Sequence, residues 1–260
     1  MLHIAVDAAK EAGKFLKQNL GKVLDIQQKA GQEKNLVTEI DKRSEEIIIG
    51  IIKKHFPRHD ILAEESGTTK NQKSDYKWVI DPLDGTTNFT HGFPVFCISI
   101  ALEYKGEIIL GVIYDPNFDE LFTAEKGKGA CLNGKKMRVS KIDSLNRSLL
   151  VTGFPYNITE NPNHAIEHFI NFLMKSQAVR RMGSAAIDLA YVAAGRYEGF
   201  WETDLHPWDM AAGVLLVEEA GGKISDFTDK PFSIYEKEIL ATNGLVHTQM
   251  QDVLMMARPT

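Results

Sequence analysis

Apolar residues at Ile4, Ala8, Ala12, Phe15 and Leu16 recur at helical spacing and predict a first helix from about residue 2 to Asn19, with Gly21 just beyond it. A polar stretch with no apolar period follows, Lys29 to Lys34, and reads as a mobile loop. Leu36 to Asp41 then leads into a second helix over Asp41 to His55, whose Ile47, Ile48, Ile51 and Ile52 form a buried stripe and which Pro57 terminates. The next apolar runs are short. Ile61-Leu62-Ala63 ends at Glu64-Glu65, and Trp78-Val79-Ile80 ends at Asp81, where Pro82 withdraws a ladder donor and stops the strand.

From Pro94 the pattern changes to extended runs, Val95 to Tyr104, Glu107 to Tyr114 and Leu121 to Ala124, predicted to form an antiparallel meander. Asn133-Gly134 marks a tight hairpin turn before a strand at Met137-Arg138-Val139. Beyond Leu149 helical and strand-like segments mix. Strands are expected at Leu149 to Thr152, near Ala178, at Tyr197 to Glu202, at Lys223 to Phe227 and at Ile239 to Thr242. Helices are expected at Asn163 to Lys175, Ser184 to Ala194 with Gly195 as its cap, Trp208 to Ala220, and Val246 to Met256. The fold class is therefore an α/β layered sandwich with alternating helix and sheet layers. Two sheet-bearing halves, residues 1–143 and 144–260, are expected within one compact unit.

Composition narrows the possibilities. With 260 residues, 43% of them hydrophobic and 25% charged, the chain can bury a sizeable core. A net charge of −5 gives no general attraction to nucleic acid or to an anionic membrane, so an anionic substrate would need local help. No apolar stretch approaches the ~20 residues that span a bilayer. Asp7, Lys10, Glu11, Lys14 and Lys17 interrupt the first apolar pattern, so no leader is expected there. Cys97 and Cys131 have neither disulfide nor metal-ligand spacing, which suits a reducing cytoplasm.

Chemistry concentrates where apolar elements end in carboxylates. Asp81 and Asp84, with the Leu83 carbonyl between them, offer three oxygens to a hard cation such as magnesium. Gly85 lets backbone approach a ligand closely, and Thr86-Thr87-Asn88 can open a helix whose N–H groups face a phosphate. Asp-Pro and Asp-Gly are also ordinary turn dipeptides. What distinguishes this turn is its company, Glu64-Glu65 and Trp208-Asp209, each again at the end of an apolar element. Glu64, Asp81, Asp84 and Asp209 would repel one another at neutral pH unless cations held them together. Magnesium ions sharing Asp81 would polarise a phosphate oxygen and lower the pKa of a bound water, the tasks of phosphate-ester hydrolysis. No histidine pair suits zinc, no G-x-x-x-x-G-K-[ST] is present, and Asp81 and Asp84 are three apart where an aspartyl-phosphate enzyme has Asp-x-Asp. Metal-activated water is the better nucleophile.

These residues resemble a known family. Asp81-Pro-Leu-Asp-Gly-Thr-Thr-Asn-Phe89 is similar to the first signature of the inositol monophosphatases, and Trp208-Asp-Met-Ala-Ala-Gly213 with Glu218-Ala-Gly-Gly222 resembles the second. Glu64-Glu-Ser66 and Leu36-Val-Thr-Glu-Ile-Asp41 match in order and spacing, and Gly195 to Glu202 with Pro207-Trp-Asp209 resembles the bacterial branch. The resemblance implies a sugar-phosphatase-like fold, a homodimer, inhibition by lithium and roughly two to three Mg2+ ions. It implies that Glu64, Asp81, the Leu83 carbonyl, Asp84 and Asp209 bind the metal, with Glu65 in support. It further implies that Thr86 and Asp41 orient or deprotonate the attacking water, that Lys29 is the loop lysine, and that the Gly85 and Thr86 amides hold the phosphate. Asp84, Ser184, Ala185 and Glu202 would face the alcohol.

The implied reaction is magnesium-dependent hydrolysis of a small polyol or sugar monophosphate, with myo-inositol 1-phosphate the first candidate. Fructose 1,6-bisphosphatase activity is the enzymatic alternative, for which Arg180, Arg181 and Arg196 are available by type. A binding or regulatory protein retaining the fold is the non-enzymatic one. Plainer roles stay open: Glu65 as a solvated neighbour, Asp41 and Ser184 as helix N-caps, Lys29 as an exposed lysine, Arg180 and Arg181 as surface charges, and His206 as a packed structural histidine.

Overall fold

The computed structural model describes residues 1–21, 26–28, 36–69, 74–230 and 232–256, the strands at 26–28 and 36–38 by their backbone. Helix α1 (Leu2–Asn19) and α2 (Glu39–His55) flank a two-stranded antiparallel ribbon, β1 (Ile26–Gln28) and β2 (Leu36–Thr38). Then follow β3 (Asp60–Ala63), β4 (Gly67–Thr69), β5 (Tyr76–Asp84) and the short α3 (Thr86–Thr90). The meander is β6 (Cys97–Tyr104), β7 (Glu107–Asp115), β8 (Glu120–Glu125), β9 (Gly129–Leu132) and β10 (Lys135–Lys136). The chain continues through β11 (Leu149–Thr152), α4 (Ala165–Lys175), β12 (Ala178–Arg180), α5 (Ala185–Ala193), β13 (Gly199–Thr203) and α6 (Pro207–Glu219). It closes with β14 (Lys223–Ser225), β15 (Glu238–Thr242) and α7 (His247–Met255).

Two sheets carry the fold. One has the order β10-β9-β8-β7-β6-β5-β3-β4, antiparallel except where β3 runs beside β5; the other has the order β12-β11-β13-β15-β14 and is mixed. Helices α1 and α2 pack together on the outer face of the larger sheet, burying Ala8, Ala12, Leu16, Ile48 and Ile52 against Trp78, Ile80 and Ile100. Helices α5 and α6 lie between the sheets, and α4 and α7 cover the far face of the smaller one around Phe172, Trp201 and Met250. Helix and sheet layers therefore alternate, as the sequence pattern implies. A helix buried on both sides must be apolar all round and must present small residues at its contacts. α6 does both: a Cβ on Gly213 would sit 2.5 Å from Leu189 Cβ of α5, and one on Gly111 of β7 would sit 2.7 Å from the Ala212 carbonyl oxygen.

Several expected boundaries move. β5 does not stop at Asp81 but runs to Asp84, because a register shift against β6, from Asp81 opposite Ser99 to Asp84 opposite Cys97, absorbs Pro82 as a bulge. β6 begins at Cys97 rather than Val95. The hairpin at Asn133-Gly134 closes on Lys135–Lys136 instead of Met137 to Val139. α4 starts two residues late, since Asn163 and His164 have left-handed φ of 50° and 56°. The short strands β1 and β4 carry too few residues to show a period.

Candidate active site

The carboxyl ends of β3 and β5, the start of α3, the N-termini of α5 and α6, and the ends of β11 and β13 meet around one cavity of about 400 Å³. Its walls include Glu64, Asp81, Leu83, Asp84, Gly85 and Thr86, and further round, Ser184, Ala185, Glu202 and Asp209. The bulge explains why Asp81 and Asp84 can both take part: two carboxylates three residues apart on one strand are brought to the same cavity by the extra residue between them. Gly85, at φ +100°, then turns the chain into α3. A side chain there would be doubly penalised, by that left-handed backbone and by a Cβ 2.9 Å from the Val95 carbonyl oxygen.

Each aspartate has one oxygen held by a protein donor. Leu83 N donates to Asp81 Oδ1 at 3.0 Å, and His206 N to Asp209 Oδ2 at 2.7 Å within the cap of α6. Ser184 Oγ and Ala186 N both donate to Asp84 Oδ2 at 2.7 Å, so the N-terminus of α5 is docked onto that carboxylate. These bonds fix the direction of each carboxylate and leave acceptor capacity over. Glu64 is delivered by the turn after β3, and that turn is pinned from behind: Glu45 of α2, buried, accepts from Glu65 N at 2.8 Å and Ser66 N at 2.9 Å.

The electrostatics are those of crowded like charges. Burial, and then the charges of Glu64, Asp84 and Asp209, push Asp81 well above the usual carboxylate range. Burial, Asp84 and Glu64 push Asp209 up in the same way. Asp84 rises to about 6, burial outweighing the hydrogen bonds from Ser184 and Ala186 that pull it down. Burial pushes Glu202 up to about 8, against the opposing pull of Arg181. Tyr156 is half open to solvent, yet burial of its hydroxyl end and the charges of Glu64, Asp209 and Asp84 push it up to about 12.

A divalent cation suits this donor set. The oxygens are hard, several are anionic, and ionising all of them together needs compensating positive charge. Among the described residues, no three His, Cys, Asp or Glu side chains are already drawn into a metal-holding cluster.

Thr86 Oγ1 lies 3.1 Å from the Leu83 carbonyl oxygen and 3.4 Å from Asp41 Oδ1, with Asp41 buried in the first turn of α2. Lys29 lies outside the described residues. Glu65 donates its backbone N–H to Glu45 and does not line the cavity; Glu45 pins the turn that carries Glu64, a contact that sequence reasoning missed because an acid on an amphipathic helix reads as a solvated face. Ser184 is the N-cap of α5 and commits its hydroxyl proton to Asp84. His206 is exposed rather than packed in a core, stacked 4.8 Å from Trp208 at the mouth. Arg181 reaches the cavity, Arg180 does not, and Arg196 is held by both oxygens of Glu120. Asp188 and Tyr156 also line the cavity and carried no sequence expectation. Asp188 had a signal, as the lone acid in the small-residue helix Ala185–Ala193; Tyr156, in an irregular segment, had none.

Comparison with known proteins identifies the family. The model of the inositol monophosphatase family matches residues 1–258. An inositol-1-monophosphatase of Synechocystis is 46% identical, over 97% of this chain and 88% of that protein. The Nus factor SuhB of Pseudomonas aeruginosa is 45% identical, over 94% of this chain and 91% of the relative. The solved inositol monophosphatase of Anabaena superposes with a TM-score of 0.88 at 46% identity, covering 99% of this chain and 96% of that one.

Proposed function

Because the chain belongs to the inositol monophosphatase family, we propose that it is a magnesium-dependent phosphatase of a small polyol monophosphate, with myo-inositol 1-phosphate as the preferred substrate. The single observation that carries this reading is the placement of Glu64, Asp81, Asp84 and Asp209 around one cavity, with Leu83 on the same wall. Those four carboxylates and the Leu83 carbonyl would hold Mg2+. When bound, the ions supply the positive charge that polarises the phosphate ester and makes a water acidic enough to attack.

The chain's own groups do the rest. Thr86 Oγ1 is the acceptor for a proton of the attacking water, and Asp41 Oδ1 takes the hydroxyl proton of Thr86 in turn; the 3.4 Å separation is at the loose end expected before substrate tightens such contacts. The first amides of α3, at Gly85 and Thr86, face the phosphate oxygens. Glu202, beside Gly153, receives hydroxyls of the alcohol; a Cβ on Gly153 would displace its carboxylate from this position.

A monophosphate is favoured because, among the described residues, one arginine, Arg181, lines the cavity, whereas a second phosphate would call for a cluster. The name of the Pseudomonas aeruginosa relative favours a second reading, a role as a Nus factor on the same fold. Phosphate release from inositol 1-phosphate, fructose 1,6-bisphosphate, a 3′-phosphoadenosine nucleotide and histidinol phosphate, each with and without magnesium, tests the choice. Preference for inositol phosphate with strict magnesium dependence supports the proposal, and preference for the bisphosphate overturns the substrate. Silence from a folded, magnesium-binding protein transfers weight to the second reading.

A further inference from the structure

Asp188 is the anomaly of the cavity. It sits one turn into α5, is 1% exposed, and lines the same space as Glu202 and the four acidic groups discussed above. Its Oδ1 is fully buried and meets no hydrogen-bond donor among the described residues. Arg181, across the cavity wall, is close enough to pull electrostatically on it but forms no ion pair with it among the described residues. A carboxylate oxygen left in this state costs stability, about 1–3 kcal/mol or more, and the start of a helix softens that cost without supplying a donor. Nothing in the packing of α5 asks for an acid: Ala185, Ala186, Ile187, Leu189 and Ala190 around it are buried and apolar. A buried group that weakens the fold and opens onto a binding cavity is best explained by a ligand that completes it.

On the footing of the polyol phosphatase reading above, we propose that Asp188 determines specificity: its carboxyl oxygen, beside Glu202 on the wall built by α5 and β13, accepts a substrate hydroxyl remote from the phosphate. The two carboxyl groups together would then recognise separate hydroxyls of one ring, and a phosphate ester with a bare alcohol would leave Asp188 as unsatisfied as it is in the free protein. A site built around such a group rejects the analogue that lacks the hydroxyl.

The test compares myo-inositol 1-phosphate with cyclohexyl phosphate, the same ring without further hydroxyls, in wild type, Asp188→Leu and Asp188→Ala. The expected result is a fall of at least about tenfold in the ratio of kcat/KM values between the two esters in Asp188→Leu, mainly through KM for the inositol ester. The melting temperature of Asp188→Leu is expected at or above that of wild type, since an unsatisfied acid has been replaced by a side chain suited to its surroundings. Asp188→Ala, which removes the acceptor without adding bulk, gives the same ratio test should the leucine variant fail to fold. An unchanged ratio in an active wild-type background, parallel loss on both esters, or a lower melting temperature with the ratio intact would each overturn the proposal. If wild type hydrolyses neither ester, the polyol phosphatase reading itself fails and Asp188 falls with it.

Discussion

Asp209 sits at the third position of α6 with one oxygen in the helix cap and its remaining acceptor capacity toward the cavity. Asp209→Asn keeps an acceptor for His206 N and loses the charge. Magnesium-dependent phosphate release is therefore expected to drop by about a hundredfold or more while far-UV circular dichroism stays unchanged; near-full activity would remove Asp209 from the metal-binding set. Glu202 makes a prediction about pH. Burial holds its carboxyl at about 8, against an ordinary value of 4.5, so between those values the folded chain binds more protons than the unfolded one. Its contribution to stability declines as pH rises through that window. In chelator, Glu202→Gln should thus melt above wild type by several degrees at pH 8.5 and match it at pH 4, as thermal melts across pH would show. The carboxylates at strand and helix ends were legible in the sequence because abrupt changes from apolar to acidic mark such ends. Glu45 was not, since it looks like a solvated helix face, and Asp188 showed only as a lone acid in a small-residue helix, which reads as a helix N-terminal acid until tertiary packing reveals what surrounds it.

At the scale of elements, the active cavity depends on two junctions, the bulge in β5 and the contact of α5 with α6. The bulge was hidden because Pro82 ordinarily ends a ladder, and only pairing with β6 shows that the strand resumes. The helix pair was visible as two small-residue apolar segments, but their place between two sheets follows from contacts that no local period encodes. Gly213→Ala would force a Cβ to within 2.5 Å of Leu189 Cβ, and is expected to destabilise the fold by about 1–3 kcal/mol in denaturant unfolding. The turn carrying Glu64 offers a subtler case. Glu45→Ala removes the acceptor for the Glu65 and Ser66 amides, so apparent magnesium affinity should weaken by about tenfold while exposed Glu46→Ala leaves it unchanged. Equal behaviour of the two variants in metal titrations would show that the turn holds its position without Glu45.

The whole molecule is a stack in which helix and sheet layers bury two large apolar clusters and a smaller one, and in which the acidic cavity opens where their edges meet. Such a fold spends stability to keep like charges together, which only a cation returns. The most direct measurement is a magnesium titration of chelated protein that records the melting temperature and phosphate release from myo-inositol 1-phosphate on the same samples. Turnover that starts from nothing and rises together with a melting temperature several degrees higher is the predicted result. Full turnover in chelator, or saturating activity with no change in melting temperature, would contradict the claim that these four carboxylates are a magnesium site at the centre of the chemistry.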